Sequence, residues 1–494
     1  MCAVMGVSCR SGAGDAARKV FCGLRMMNHR GQDGSGIGIA SASGLIWHKN
    51  SGLVPDVFSD SWLGKHADAA IGHNRYATQG DASEKNLQPH FAECRDGGIL
   101  LASNGDVINY RELRAALEQK GAQFTSDNDG ELLARFLAQR IDQGDSPPDA
   151  IRQLHNTVQG AYSAVALFQK RLYVFRDVRG FRPLAIVTLP DGSIAVASET
   201  VAFGILGADL KTYREVPAGA IYVIDNGDVT VHDAGHPPIS PCIFELVYFA
   251  RPDSQVFGLP VHLVRRRIGW HLAEEANWKT GPNDIVVAVP DSSNEIARGV
   301  AEGLGLPFEP GLIRSHTARR TFIESEQSTR DEGVRFKLNP LMLAVEGARV
   351  ILVDDSIVRG TTIRKIVHML KRAGAEEVHL FIGSPPIKWP CFMGIATPTK
   401  GELIANQLSP AAIVEKVGAD SLCHISLSGL RHATGRIHAS ELTRFQRILG
   451  RICNAPKESF RGVTYMRLQQ QDTSLRCTAC FSGEYPIPVP LRRS

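Results

Sequence analysis

The first 235 residues alternate short apolar runs with turn signals. GSGIGIAS, AAIGHNRYAT, GILLASNGDV, AYSAVALFQKRLYVFRD, SIAVASET and AIYVIDNGDVTVHDA are strand-like runs. Many are broken by Gly or Asn-Gly, residues that tolerate the positive φ of tight turns. This pattern predicts layered sheets with a few helices. HDAGHPPISP, rich in Pro and Gly, predicts a connector, so that the chain divides near residue 236. Beyond it DIVVAVP and ARVILVDD are continuous apolar runs, suited to strands covered on both faces, and each leads through a polar loop into a helical stretch. Strands alternating with helices predict a parallel sheet. No internal repeat or low-complexity segment interrupts the chain.

The most informative unit is RVILVDDSIVRGTTIRKIVHMLKRAGAEEVHL. Val350 to Val353 are expected to form a buried strand with Asp354 and Asp355 at its carboxyl end. Arg359 to Thr362 make a short loop. In the helix that follows, Ile363, Ile366, Val367 and Leu370 share one face before Gly374 caps it. A strand, a loop with free backbone N–H groups and a helix N-terminus make an anion site, here offered to a phosphate, with Thr361 and Thr362 as hydroxyl donors. The paired carboxylates then face ribose hydroxyls or a Mg²⁺ ion, a hard cation that prefers oxygen. The plainer alternative is an acidic turn capping a helix.

Composition narrows the class. At 494 residues the chain exceeds one core, since domains run to roughly 100–200 residues, and two large domains are expected. With 55 basic and 51 acidic side chains the formal charge is +4, which does not argue for nucleic acid. No apolar run approaches the roughly 20 residues needed to span a bilayer. The opening MCAVMGVSCRSGAGDAARK lacks the basic start and apolar stretch of a signal peptide. A cytoplasmic protein without a membrane partner is therefore expected, and its ten cysteines are not expected to form a disulfide framework. Cys2 stands directly after the initiator. Removal of Met1 would leave one residue carrying a thiol and a free α-amine, a nucleophile with its own base; the alternative is a small apolar residue near a terminus. LVRRRIGWHL is expected to be a solvated helix face. The histidines include no H-E-x-x-H pattern or comparable zinc spacing.

The strand–loop–helix unit resembles the phosphoribosyl pyrophosphate signature of type I phosphoribosyltransferases. Together with MCAVMGV, CIFELVYFARPDS (242–254), RTFIESEQSTRDEGVRFKLNP (320–340) and SPPIKWPCFMGI (384–395), it makes the chain similar to the amidophosphoribosyltransferase family from Cys2 to about Pro486. The resemblance implies an N-terminal-nucleophile αββα glutaminase domain over 2–235, a phosphoribosyltransferase domain with a parallel sheet over 236–440, and a C-terminal segment over 441–494. It implies conversion of phosphoribosyl pyrophosphate to 5-phosphoribosylamine, glutamate and pyrophosphate, with ammonia passed between two sites, as the first committed step of purine synthesis.

By the same resemblance Cys2 attacks the glutamine amide, and Asn104 and Gly105 of SNGD form the oxyanion site. Arg75 of HNRYAT holds the substrate carboxylate, and Asp129 of NDGELL holds its ammonium. Arg30 and Gly31 of NHRGQDGSG stand beside the nucleophile. In the second half Ser292, Asp354 and Asp355 are the Mg²⁺-associated positions. Arg320 and Lys337 lie on a closing loop, and Arg359, Gly360, Thr361 and Thr362 hold the 5-phosphate.

Cys242, Cys391, Cys477 and Cys480 match the ligands of the [4Fe–4S] cluster that some members carry. The C-x-x-C pair alone could equally be a redox pair or a zinc half-site. Cys9, Cys22, Cys94, Cys423 and Cys453 are expected to be structural. The chain departs from the family at Ser315, His316, Thr317, Ala318 and Arg319: Thr317 replaces a tyrosine and Arg319 a glycine, so weakened coupling between the sites is expected. Purine nucleotides are the expected inhibitors and a homotetramer the expected assembly. A non-catalytic nucleotide sensor on the same fold competes with this reading, as does a sugar-phosphate or asparagine-forming amidotransferase. Retention of Cys2 with its whole set argues against the first, and VDDSIVRGTT against the second.

Overall fold

The structure is a computed structural model that describes residues 1–10, 13–76, 83–234, 239–315, 338–397, 399–435 and 476–489. In the first half one antiparallel sheet has the strand order Arg214–Glu215, Ala185–Thr188, Ile194–Ala197, Ala3–Ser8, Ala69–Arg75, Gly34–Ser41 and Gly44–Ser51. A second antiparallel sheet has the order Asp228–Asp233, Ile221–Asp225, Arg171–Arg176, Gly160–Phe168, Ile99–Val107 and His90–Ala92. Val4, Ile71, Leu100, Val165, Leu172 and Val196 form the core between the sheets. Helix Ala16–Met26 covers the outer face of the first sheet, placing Val20 and Leu24 against Met5 and Val7. Helices Asp129–Asp142 and Pro147–Thr157 cover the second. Successive residues of a strand face opposite ways, so Val4 enters the intersheet core while Met5 and Val7 meet the helix. Two covered faces explain why Ala3 to Val7 carry no polar side chain.

In the second half, Asp284–Ala288, Arg349–Asp354, Glu377–Ile382 and Ser421–His424 form a parallel sheet in that order. Helices Val261–Ala276 and Asn294–Leu304 pack on one face, and Thr361–Arg372 with Pro410–Val417 on the other. The first two helices touch backbone to backbone: a Cβ on Gly269 would lie 2.0 Å from Ile296 O, and one on Gly299 2.1 Å from Arg266 O. The strand–loop–helix unit has the expected form. Its buried helix face is Ile363, Ile366, Val367 and Leu370, and Gly374 follows the last turn at φ +97°.

The arginine run departs from expectation. Arg265, Arg266 and Arg267 lie within helix Val261–Ala276 but are 1%, 8% and 3% exposed. Arg265 donates to Leu246 O and Ala250 O, Arg266 to Glu295 and Glu302, and Arg267 to His432 O and Gly435 O. Acceptors brought in from distant segments allow these charges to be buried, where sequence pattern alone assigned them to solvent. Among the described residues no helix is long and apolar enough to cross a membrane.

Candidate active sites

Cys2 precedes the central strand Ala3–Ser8 and is 6% exposed. Its main-chain N donates to Asn104 Oδ1 at 3.0 Å, and Tyr76 N donates to its Sγ at 3.4 Å. Asn104 lies on Ile99–Val107 of the facing sheet, so the stacking of the two sheets brings these residues together. Asn104 Nδ2 is buried with no hydrogen-bond partner among the described residues. A buried donor left unspent on the amide that holds the cysteine is suited to a transient oxyanion. Gly105 is required by close approach, because a Cβ there would lie 1.7 Å from Ala161 O.

Arg75 ends strand Ala69–Arg75 and is 1% exposed. Asp129 opens helix Asp129–Asp142, with Asn128 capping the helix through Gly130 N at 2.8 Å. Burial, followed by charge on the Cys2 sulfur, pushes the Asp129 carboxyl up from 3.8 to about 6, while Arg75 opposes the shift. Gly31 packs against the strand that carries Arg75, where a Cβ would lie 2.6 Å from the backbone of Asn74 and Arg75. Arg30 Nε donates to Cys2 O at 2.9 Å, and its other nitrogens reach Glu199 at 2.6 Å and Glu245 at 2.8 and 3.0 Å. Neither glutamate was singled out from the sequence. Glu245, the one acid within the apolar CIFELVYF, offered the signal, since a charge in a core needs a partner.

The second site lies at the carboxyl end of Arg349–Asp354. Burial and the neighbouring Asp355 push the Asp354 carboxyl well above its ordinary range. Asp355 is also raised by burial, against the hydrogen bonds of Ser292 and Ser356 and the charge of Arg265. Ser292 Oγ donates to Asp355 at 2.6 Å and Ser293 Oγ to Asp354 at 3.1 Å. Gly360 takes φ +78° immediately before helix Thr361–Arg372, so Thr361 and Thr362 occupy its first turn. Arg359 is half-exposed and pairs with Glu402 at 3.2 Å. Arg320 and Lys337 lie outside the described residues, as do Thr317, Arg319 and Cys453.

The four matched cysteines converge from three segments. Cys242 and Cys477 form an isolated parallel bridge, and Lys388 N and Trp389 N donate to Cys480 O at 3.0 and 3.1 Å, just before Cys391. Burial pushes up the Cys242, Cys477 and Cys480 thiols, and charge on neighbouring sulfurs adds to the effect. Arg182 and Arg476 are buried beside them and interact with Cys242, and Arg182 also with Cys391 and Cys477. Arg182 Nε and Nη2 and Arg476 Nε and Nη1 have no hydrogen-bond partner among the described residues. Among those residues no group of three or more His, Cys, Asp or Glu side chains closes on a single metal ion. Two buried cations with unspent donors, which interact with three of the four thiols, nevertheless suit a larger anionic group. Elsewhere, Cys9 and Cys94 are buried, and Cys22 and Cys423 partly so.

A glutamine amidotransferase domain family matches residues 73–204, and a phosphoribosyl transferase domain family matches 262–382. Amidophosphoribosyltransferase 3, chloroplastic, of Arabidopsis thaliana is 39% identical over 491 residues, covering 98% of this chain and 84% of the relative. The amidophosphoribosyltransferase of Bacillus subtilis is 38% identical over 493 residues, covering 99% and 94%. A solved structure described as the allosteric regulatory enzyme of purine biosynthesis superposes with a TM-score of 0.84 at 37% identity, covering 99% of this chain and 97% of that one. The glutamine phosphoribosylpyrophosphate amidotransferase from B. subtilis complexed with ADP and GMP gives 0.83 at 37% identity, covering 99% and 98%.

Proposed function

The chain belongs to the amidophosphoribosyltransferases, which take the first step of purine biosynthesis by joining a glutamine amidotransferase to a phosphoribosyltransferase, and from that premise we propose how its own residues divide the work. The observation that carries the reading is Cys2 held through its nitrogen to Asn104, whose amide keeps an unspent buried donor. Once Met1 is removed, that nitrogen becomes an α-amine. In its neutral form that amine can take the thiol proton. The thiolate attacks the glutamine carboxamide carbon, and Asn104 Nδ2 with the Gly105 main chain stabilises the oxyanion. Arg75 and Asp129 hold the substrate carboxylate and ammonium. The amine returns its proton to the leaving nitrogen, ammonia departs, and water cleaves the thioester to glutamate.

Ammonia then attacks C1 of phosphoribosyl pyrophosphate, forming the C1–N bond as the bond to pyrophosphate breaks. The Gly360–Thr362 turn and Arg359 bind the 5-phosphate at the helix N-terminus. Arg320 and Lys337 are assigned to the substrate from sequence alone. Adjacent buried carboxyls that repel one another fit a cation, so Ser292, Asp354 and Asp355 would hold Mg²⁺, which supplies positive charge to the departing pyrophosphate. Cys242, Cys391, Cys477 and Cys480 would hold a [4Fe–4S] cluster, whose negative charge suits the unspent donors of Arg182 and Arg476. Its role would be structural, pinning residues 476–489 to the transferase half that carries Cys242 and Cys391. Purine nucleotides are proposed as inhibitors, supported by the ADP and GMP of the B. subtilis structure. A homotetramer rests on family resemblance.

The test is pyrophosphate release driven by glutamine or by ammonia. Cys2→Ala should abolish the first and spare the second. Equal loss of both refutes the two-site assignment.

A further inference from the structure

A buried ion-pair network crosses from one half of the protein to the other directly behind the nucleophile. Glu245 belongs to the π-helical turn Glu245–Phe249 and is fully buried. It grips Arg30 with both oxygens, at 2.8 and 3.0 Å, and meets Arg182 at 3.4 Å. Glu199 completes a quartet of two cations and two anions, all with fully buried side chains. Charge neutrality alone explains only why the quartet can be buried. What points further is the remaining nitrogen of Arg30: its Nε holds the carbonyl of Cys2 itself, at 2.9 Å. The turn that carries Glu245 is also fastened toward the other site. Arg265 donates to Leu246 O at 3.0 Å and Ala250 O at 2.7 Å, and its charge is drawn to Asp355.

We propose that Glu245, supplied by the transferase half, is a positioning residue for the glutaminase reaction: by fixing the Arg30 guanidinium it sets where the Cys2 carbonyl, and hence the thiol, stands. This rests on the assignment of Cys2 as nucleophile. The glutaminase site is then incomplete without the transferase half, and any displacement of the Glu245–Phe249 turn, whose Leu246 O Arg265 holds, reaches the thiol. π-helical turns often mark functional positions, because their extra residue re-aims a side chain.

The experiment uses the full-length protein. Glu245→Gln keeps the size of the side chain and removes its charge. Glutamine turnover should fall about ten- to a hundredfold, the loss expected from misplacing a reacting group by about an ångström. The KM for glutamine should change less than about twofold, because Arg75 and Asp129 are untouched, and ammonia-driven pyrophosphate release should also stay within about twofold. Glu245→Asp keeps the quartet neutral, so it serves where Glu245→Gln does not fold. Its shorter reach breaks the two-oxygen grip and should lower glutamine turnover about threefold or more with little change in Tm. A role confined to stability predicts loss of both reactions in step with Tm. That result, or wild-type glutamine turnover in a folded variant, overturns the proposal. Wild-type enzyme assayed alongside separates the two levels: no glutamine turnover there sinks the assignment of Cys2, whatever the variants do.

Discussion

Asp129→Asn should stabilise the protein while disabling its glutamine site. Asp129 is 7% exposed at the first position of its helix, where the helix dipole favours an anion. Burial outweighs that help and holds the carboxyl near 6 instead of 3.8. At neutral pH, keeping the group ionised therefore costs about 3 kcal/mol, at 1.36 kcal/mol per pH unit. The sign follows from the folded state binding the proton more tightly than the unfolded chain. Relative to wild type, the variant should be more stable above pH ~6, and the advantage should fade as pH falls toward ~4, where wild-type Asp129 is protonated in both states.

For a half of this size, about 3 kcal/mol corresponds to roughly 6–12 °C in Tm. Thermal melts of both proteins at neutral and at acidic pH measure the difference. In the same preparations, glutamine turnover by the variant should fall by about a hundredfold or more, because the substrate ammonium loses its anion. Wild-type kcat/KM for glutamine should fall about tenfold per pH unit below ~6 as Asp129 takes up its proton. A variant that melts at or below the wild-type temperature at neutral pH refutes the electrostatic argument. One that keeps its glutamine turnover refutes the assignment of the residue.

Gly105→Ala forces a Cβ to within 1.7 Å of Ala161 O, so it should lower Tm by several degrees and reduce glutamine turnover at least about tenfold; wild-type values for both would show that the strand yields freely. Protein made without oxygen should be brown, with roughly four iron and four sulfide per chain, and Cys477→Ser should lose the iron and lower Tm more than it slows either reaction. Stoichiometric zinc without iron in protein made under anaerobic, iron-replete conditions contradicts that assignment. Asp354→Asn removes the partly buried carboxyl that neighbouring Asp355 pushes up and should raise the Tm of magnesium-free protein while abolishing ammonia-driven turnover. An unchanged Tm means the pair does not repel.

What the sequence disclosed is what local chemistry controls. The Asp354 unit was legible because its strand is apolar at every position and its helix apolar at helical spacing, so a period change marks the loop between them. Cys2 was legible from its place after Met1, and Arg75, Asp129 and Asn104 only through short resembling motifs. The arginine run was misread because the acceptors that bury it, Leu246 O, Ala250 O and His432 O, come from other segments. The Glu245–Arg30 pair was hidden for the same reason: nothing near either residue announces its partner. The bridge between Cys242 and Cys477 likewise joins segments that no local pattern connects.

Perturbed acidity by itself does not find the sites. Asp177 is pushed to about 6 by burial, as Asp129 is, yet its oxygens are taken by the main-chain N–H groups of Tyr162, Arg179 and Phe181, which makes it a turn-holding residue. An unspent buried polar atom is no better a guide alone. His155 Nε2 has no partner among the described residues, but its ring packs against Tyr162 and Phe175 in the core. Around Cys2 the described residues bring together a raised carboxyl, an unspent amide donor and a thiol. Each of those features carries a stability cost that packing alone would have removed. Their persistence together accords with the proposed glutamine site, in which the substrate ammonium would meet Asp129 and the developing oxyanion Asn104.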